Sequence, residues 1–162
     1  MKQKTNDLTE NIESIILGII LAFLFYNILG FALNTSAPLV TVVSCSMYPE
    51  LNVGDLLVLK GITNVSQLKS NANGDIIVYL QEEKGKLIVH RVWDIKNETI
   101  TTWGDNNKNK DPWEIGLDKI KGKKILRIPY LGIPKIILFN LITKRKMQKC
   151  EVLYNHRSEL KT

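Results

Sequence analysis

The sequence predicts a mainly β protein, with a compact antiparallel β domain, a partly closed barrel, behind an N-terminal transmembrane helix. Three observations lead to this class. One long apolar segment stands near the start of the chain, short segments rich in Val, Ile, Thr and aromatic residues fill the middle, and a second apolar segment near the end is brief. Strand formers bounded by turn residues are typical of antiparallel sheets.

The long apolar segment reads IILGIILAFLFYNILGFAL over 15–33, and Asn27 is its one strongly polar residue. A helix of this length, rising about 1.5 Å per residue, spans roughly the 30 Å hydrocarbon core of a bilayer. The alternative is a signal peptide cleaved at NTSA, 34–37, but the apolar region of such peptides is usually only about 7–15 residues long. We therefore favour a permanent anchor over 14–33, preceded by a tail over 1–13.

Basic residues predict how the anchor is oriented. Lys2 and Lys4 precede the apolar segment, whereas no Lys or Arg follows it until Lys60. Lys and Arg accumulate on the cytoplasmic side of a membrane helix, and acidic residues contribute little to this rule. The sequence thus predicts a cytoplasmic N-terminal tail and an extracytoplasmic β-rich domain over 34–128.

Six segments of that domain have the composition of strands, and the connections between them are rich in turn residues. Residues 82–86 (EEKGK) contain the glycine that a tight hairpin needs, 96–98 (KNE) form a second turn, and 64–74 are a polar connection with room for a helical turn. The predicted strands cover 39–44, 55–61, 74–80, 87–95, 99–104 and 124–128.

The C-terminal part, 129–162, combines a short apolar segment with a basic tail. Asn140 interrupts the apolar residues, which leaves either a short tilted second span or a segment lying in the membrane interface. The densest basic run, TKRKMQK over 143–149, follows directly, and the net charge of +6 is not arranged as a stripe interleaved with aromatics. This placement favours a lipid bilayer over nucleic acid as the partner.

The cysteines and histidines do not have the spacing of a metal site. Cys45 and Cys150 lie far apart in the sequence, and the only histidines are His90 and His156. A zinc site needs clustered ligands, so we expect no metal and no other cofactor. A disulfide between the two cysteines is possible in principle but poorly supported by the sequence.

Two serines flank Cys45 in the segment SCSMYP, just beyond the anchor. If the preceding strand continues to Ser46, the two-residue alternation puts Ser44 and Ser46 on one face and Cys45 on the other, and Pro49 ends the strand pairing. One serine could then attack a carbonyl while the other hydroxyl stabilises the oxyanion. Taken alone, the segment is more typical of an ordinary polar strand end.

A base and an acid are available later in the chain. His90 lies among strand formers in LIVHRVWD, and histidine is the side chain best suited to proton transfer near neutral pH. Asp105 and Asp111 lie in the polar loop TWGDNNKNKDPWE, where a carboxylate could orient the imidazole. Asp and Asn with Gly and Pro are also what turns use, so this loop alone is weak evidence.

Taken together, these segments resemble the conserved boxes of type I signal peptidases. SCSMYP is similar to the S-x-S-M-x-P box, HRV at 90–92 to the next box of the archaeal and endoplasmic-reticulum branch, and GDNN at 104–107, with Asp111, to the final box. GDLLVLKG and NGDIIVY are similar to the stretches between them. The resemblance covers roughly 17–132.

The resemblance implies a role for each matching residue. Ser46 matches the nucleophile, His90 the general base, Asp111 the aspartate of the triad and Asp105 a second important acid. Ser44, with the Ser46 backbone N–H, matches the oxyanion hole. The remaining match is Met47, an apolar neighbour that shapes the substrate site. Cys45 departs from the glycine of many members and adds a thiol beside the nucleophile.

The expected function is cleavage of signal peptides from secretory preproteins at the outer membrane surface. Accessory membrane subunits are an open expectation, because the eukaryotic relatives work in a complex while many others act alone. The membrane would be the cell membrane in a prokaryote and the endoplasmic reticulum in a eukaryote. Three rivals stay open: a non-catalytic β binding module, a Ser–Lys dyad with Lys60 or Lys86 as base, and a cysteine protease using Cys45.

Overall fold

The computed structural model describes residues 2–143 and 149–153. The basic residues at 144–148 and His156 lie outside the described residues. Helix α1 covers Lys2–Ala32, and its part from Asn11 to Ala32 is long and apolar enough to cross a membrane by length and composition. None of that stretch is buried against the protein, as expected of a helix whose apolar side chains face lipid.

The predicted β domain is confirmed as a single antiparallel sheet of seven strands among the described residues. The sheet is open, since its edge strands do not pair with each other among the described residues, so the expected partial closure into a barrel is absent there. The strand order is β1-β2-β7-β3-β4-β5-β6. The strands are β1 (Leu39–Thr41), β2 (Leu56–Lys60), β3 (Ile76–Gln81), β4 (Lys86–Lys96), β5 (Thr99–Trp103), β6 (Glu114–Ile115) and β7 (Ile120–Ile128).

Turn chemistry explains the two hairpins. Gly85, at a φ of 57°, closes the β3–β4 connection after a short 3-10 helix over Glu82–Lys84. Asn97 and Glu98 both have positive φ, as a two-residue hairpin turn requires, and join β4 to β5 in the register Lys96 to Thr99. A separate 3-10 helix, Val65–Gln67, lies in the polar connection between β2 and β3, where a helical turn was expected.

Two apolar clusters form the core, one on each face of the sheet. The first includes Val40, Met47, Leu51 and Leu57, and Met47 belongs to the same segment as the serines. The second is built around Ile77, Tyr79, Val92, Ile100 and Ile115. Burial of the strand residues restricts the register, because a slip of β3 by one residue would exchange the side chains that pack in the two clusters.

Three parts of the strand prediction were wrong. The strand predicted over 39–44 ends at Thr41, and the residues from Ser44 to Leu51 form turns. The alternation expected at the serines therefore does not apply. The short strand β6 was missed and β7 begins four residues earlier than predicted, because pairing with neighbouring strands overrides their weak local signals.

The C-terminal apolar segment is helical. Helix α2 covers Ile133–Thr143 and buries only Ile136, while Ile137, Leu138, Leu141 and Ile142 are each at least half exposed. Its 11 residues measure about 16 Å, roughly half of a bilayer core.

Candidate active site

A cleft of about 1020 Å³ contains most of the residues that the sequence singled out. It lies between edge strand β1 and the first half of β4, with Tyr26 of α1 and Phe139 of α2 also on its walls. The walls are largely apolar. The polar or titratable residues on its surface include Ser44, Ser46, His90, Asn107 and Asp111.

His90 is held by the regular part of the sheet. It lies on β4 opposite Ile77 of β3 and is buried. Its Nδ1 is 2.6 Å from Oδ2 of Asp111, and both side chains are only 7% exposed. With Nδ1–H donating to the carboxylate, Nε2 is left as the nitrogen able to accept a proton.

Asp111 is itself fixed by several donors. Its Oδ2 accepts hydrogen bonds from the Tyr79 hydroxyl, at 3.1 Å, and from the Thr102 hydroxyl. Its backbone N–H donates to the carbonyl of Thr102 at 2.9 Å. The Tyr79 oxygen accepts from Trp113 Nε1 at 3.1 Å. The carboxylate therefore has little freedom to turn away from the imidazole.

Burial raises the pKa of Tyr79 well above its ordinary value, although its hydrogen bond with Thr102 opposes this shift. The negative charge of Asp111 adds to the increase in pKa. Tyr79 is consequently a neutral phenol at physiological pH and remains a donor to Asp111.

Gly104 brings the nucleophile segment and the base together. A Cβ at this position would stand 2.8 Å from His90 Nε2 and 2.8 Å from the backbone oxygen of Ser46. Any larger residue would separate the two, so the site requires glycine here. The Ser46 backbone and the imidazole therefore both lie next to Gly104.

The two serine side chains are neighbours, though for a different reason than the strand alternation suggested. Ser44 Oγ and Ser46 Oγ are 3.4 Å apart across a turn. Among the described residues, this is the one hydrogen bond that the Ser46 hydroxyl makes, and no hydrogen bond joins that hydroxyl to His90. Contacts between a nucleophile and its base are often loose before substrate binds.

Asp105 lies near the site but contacts a different partner. Arg91 Nε donates to Asp105 Oδ1 at 2.8 Å, and Arg91 Nη2 donates to Oδ2 at 2.6 Å. A third donor, Arg91 Nη1, reaches the carbonyl of Gly74 at 2.8 Å. The structure thus places Asp111, and not Asp105, against His90, while Asp105 joins the final box to β4.

Met47 is 1% exposed and belongs to the first core cluster as well as to the cleft wall. Lys86 also lines the cleft, whereas Lys60 lies at the exposed end of β2 and is not on the cleft surface.

The bonding of Cys45 differs from the expectation in two respects. It forms a disulfide with Cys150, so the pairing that the sequence did not support is present. The expectation of a free thiol beside the nucleophile was wrong, because both cysteines are oxidised to the disulfide. A disulfide sulfur cannot act as a thiolate nucleophile, which removes the cysteine-protease alternative.

Sequence reasoning also missed Asn106. It is buried, and its backbone N–H donates to the carbonyl of Ser46 at 2.8 Å. Its side chain reaches both Cys45 and the segment 149–153. The available signal was its place in GDNN, but nothing local indicated which partners it would have.

Comparison with known proteins supports the resemblance seen in the motifs. No family model matches the chain. It is 36% identical over 104 residues to the signal peptidase complex catalytic subunit SEC11 of Zygosaccharomyces rouxii. The matched residues make up 61% of this chain and 59% of that protein. It is 37% identical over 95 residues to SEC11 of Saccharomyces cerevisiae, covering 56% and 54%. The chain thus matches little more than half the length of these relatives, and its likeness to the endoplasmic-reticulum branch is confirmed.

Proposed function

We propose that this chain is a membrane-bound serine endopeptidase that removes signal peptides from secretory preproteins at the outer membrane surface. The observation that carries the proposal is the meeting of Ser46 with the His90–Asp111 pair in one cleft near the end of an apolar helix. The similarity to signal peptidase complex catalytic subunits supports the same reaction.

In the proposed reaction, His90 Nε2 accepts the proton of the Ser46 hydroxyl as Ser46 Oγ attacks the scissile carbonyl. Asp111 stabilises the imidazolium that forms. The Ser44 hydroxyl and the Ser46 backbone N–H donate to the oxyanion of the tetrahedral intermediate. His90 then passes its proton to the leaving amine, and water, deprotonated by the same imidazole, hydrolyses the acyl-enzyme.

The cleft suits an extended peptide. Strand β1 pairs only with β2, and residues 86–90 of β4 pair only with β3 among the described strands. Each therefore offers backbone donors and acceptors to an added strand. Between them lie Val40, Val89 and Met47, whose apolar surfaces suit apolar side chains of the peptide and give Met47 its role in substrate binding. Small residues just before the cut are what the resemblance to signal peptidases implies.

The cleavage site would emerge beside the anchor of the enzyme itself. Residues 1–13 then form the cytoplasmic tail, 14–33 the span, 34–128 the catalytic domain and 129–162 the C-terminal apolar segment and tail. Because α2 is about half as long as a span and Cys150 is bonded to Cys45 beside Ser46, we place α2 in the membrane interface on the catalytic side. The membrane is that of the endoplasmic reticulum or its prokaryotic counterpart, with accessory subunits as partners.

Cleavage of a preprotein by the full chain in detergent tests the proposal. Ser46→Ala should abolish cleavage while Ser66→Ala, at an exposed serine far from the cleft, should leave it unchanged. Unchanged cleavage by Ser46→Ala would favour a non-catalytic binding module with a contaminating protease.

A second pair of variants separates the histidine base from a lysine base. His90→Ala should lower kcat by roughly 10⁴-fold, since it removes a member of the triad. Lys86→Met, on the cleft wall, should keep kcat within about threefold of wild type, because its charge takes no part in the proton transfer. The opposite pattern would identify the Ser–Lys dyad.

A further inference from the structure

The segment at 149–153 is attached to the nucleophile turn at two points. The first is covalent: Cys150 is bonded through its sulfur to Cys45, the residue directly before Ser46. Cys45 is 9% exposed and Cys150 is partly exposed, so the bond joins a buried residue of the turn to a more accessible residue of the segment at 149–153. We call 149–153 the strap.

The second attachment is the side chain of Asn106. Its Nδ2 donates to the carbonyl of Cys45 at 3.2 Å and to that of Glu151 at 2.9 Å. Its Oδ1 accepts from the backbone N–H of Leu153 at 2.7 Å. Together with the bond from its own N–H to Ser46, Asn106 joins three segments: the nucleophile turn, the final box and the strap.

The nucleophile turn depends on these attachments because it lies outside the sheet. Strand β1 ends at Thr41, and local bonds such as Tyr48 N–H to the Cys45 carbonyl, at 3.1 Å, close only the turn itself. The later part of the turn is held by the core, since Met47 and Leu51 are buried in the first cluster and the Glu50 carbonyl accepts from Arg127 at 2.7 Å. On the side that precedes the Ser46 hydroxyl, Cys45 is the residue that the disulfide and Asn106 attach to the rest of the domain.

We propose that the strap positions Ser46, with Cys150 and Asn106 as positioning residues that act through Cys45. This inference rests on the proposed peptidase function. It makes the oxidised state a condition for full activity, which fits a catalytic domain outside the cytoplasm, where disulfides persist. The sulfurs take no part in the proteolytic reaction.

The test measures kcat and KM of the full chain in detergent, oxidised, for a signal-peptide-bearing substrate. Cys150→Ser should lower kcat by about ten- to one-hundredfold with KM nearly unchanged, because a nucleophile misplaced by about 1 Å loses rate of that order. Val152→Ala, an exposed site in the same strap, is the matched control and should behave as wild type.

The assay is run at least 20 °C below the unfolding midpoint of every variant, so that a loss of stability alone cannot lower kcat. If Cys150→Ser lowers only the midpoint and keeps wild-type kcat, the disulfide is a plain stabilising link and the proposal fails. Detection of free Cys45 and Cys150 thiols in the active oxidised protein by mass spectrometry would also overturn it.

Reduction of the wild type provides a second route that needs no mutation. Dithiothreitol should lower wild-type kcat to the level of Cys150→Ser and leave that variant unaffected, and reoxidation should restore the wild type. Reductant-insensitive wild-type activity would contradict the strap. Absence of any Ser46-dependent cleavage by the wild type would instead contradict the peptidase function, so the two failures are distinguishable.

Discussion

The two halves of the candidate active site are held in different ways. The acid–base half, His90 with Asp111, is attached to the regular sheet through β3, β4 and β5, and its contacts are hydrogen bonds between largely buried side chains. The nucleophile half, Ser44 with Ser46, lies in a turn that is attached by Asn106 and by a disulfide to the far end of the chain.

This difference shows why one sheet can support a site of which only part is regular structure. Hydrogen bonding between strands fixes the base with an accuracy that a turn cannot provide alone. The turn in return exposes the serine hydroxyls to the cleft, which the interior of a strand pair would not do. Variants that damage one half should therefore differ in kind from those that damage the other.

Among variants that keep Ser46, the largest effect is expected in the acid–base half. Asp111→Asn should lower kcat by roughly 10⁴-fold, because an amide presents a donor to Nδ1 and favours the wrong imidazole tautomer. Steady-state cleavage measures this, and Asp118→Asn, an exposed carboxylate, is the matched control. A loss smaller than tenfold would show that Asp111 does not orient His90.

The buried ion pair beside the site should affect folding more than chemistry. Arg91→Met leaves Asp105 charged and buried without its partner, so we expect unfolding free energy to fall by about 3–5 kcal/mol. The double variant Arg91→Met/Asp105→Leu should recover much of that loss, as urea unfolding would measure. A double variant no more stable than Arg91→Met would indicate that the pair contributes mainly through attraction.

The oxyanion donor of the nucleophile half, Ser44, should show a smaller loss of rate on substitution than Asp111. Ser44→Ala removes one oxyanion donor and should lower kcat by about 10²–10³-fold with little change in KM. Ser44→Thr retains the hydroxyl and serves as the conservative control. Equal kcat for wild type and Ser44→Ala would leave oxyanion stabilisation to backbone N–H groups alone.

The smallest effect is expected at Tyr79 and depends on pH. Because its pKa is raised by burial, the folded protein keeps the phenolic proton after the unfolded chain begins to lose it, near the ordinary tyrosine pKa of about 10. The stability from Tyr79 is thus fully present below pH 10 and decreases above it. The difference in unfolding free energy between wild type and Tyr79→Phe should shrink from pH 8 to pH 11. A constant difference would contradict the shifted pKa.

The sequence predicted a large part of this architecture for identifiable reasons. The apolar anchor and the strands around Leu57, Ile77 and Ile100 follow from composition and from turns at Gly85 and Asn97, all of which are local signals. The site residues were proposed from motif order, because a histidine on a later strand and then two acids six residues apart, Asp105 and Asp111, follow the serines. Local signals could not tell which acid reaches the imidazole.

The sequence by itself therefore determined the helix, the sheet and the short set of groups available for chemistry. Only the tertiary structure decided their pairing: Asp111 with His90, Asp105 with Arg91, and Cys45 with Cys150. The physical reason is that each pairing joins residues distant in the chain, so its geometry depends on how strands stack and not on neighbouring residues. The segment SCSMYP shows this most clearly. Its two serines are neighbours across a turn, whereas the sequence predicted that alternation along a strand would bring them together.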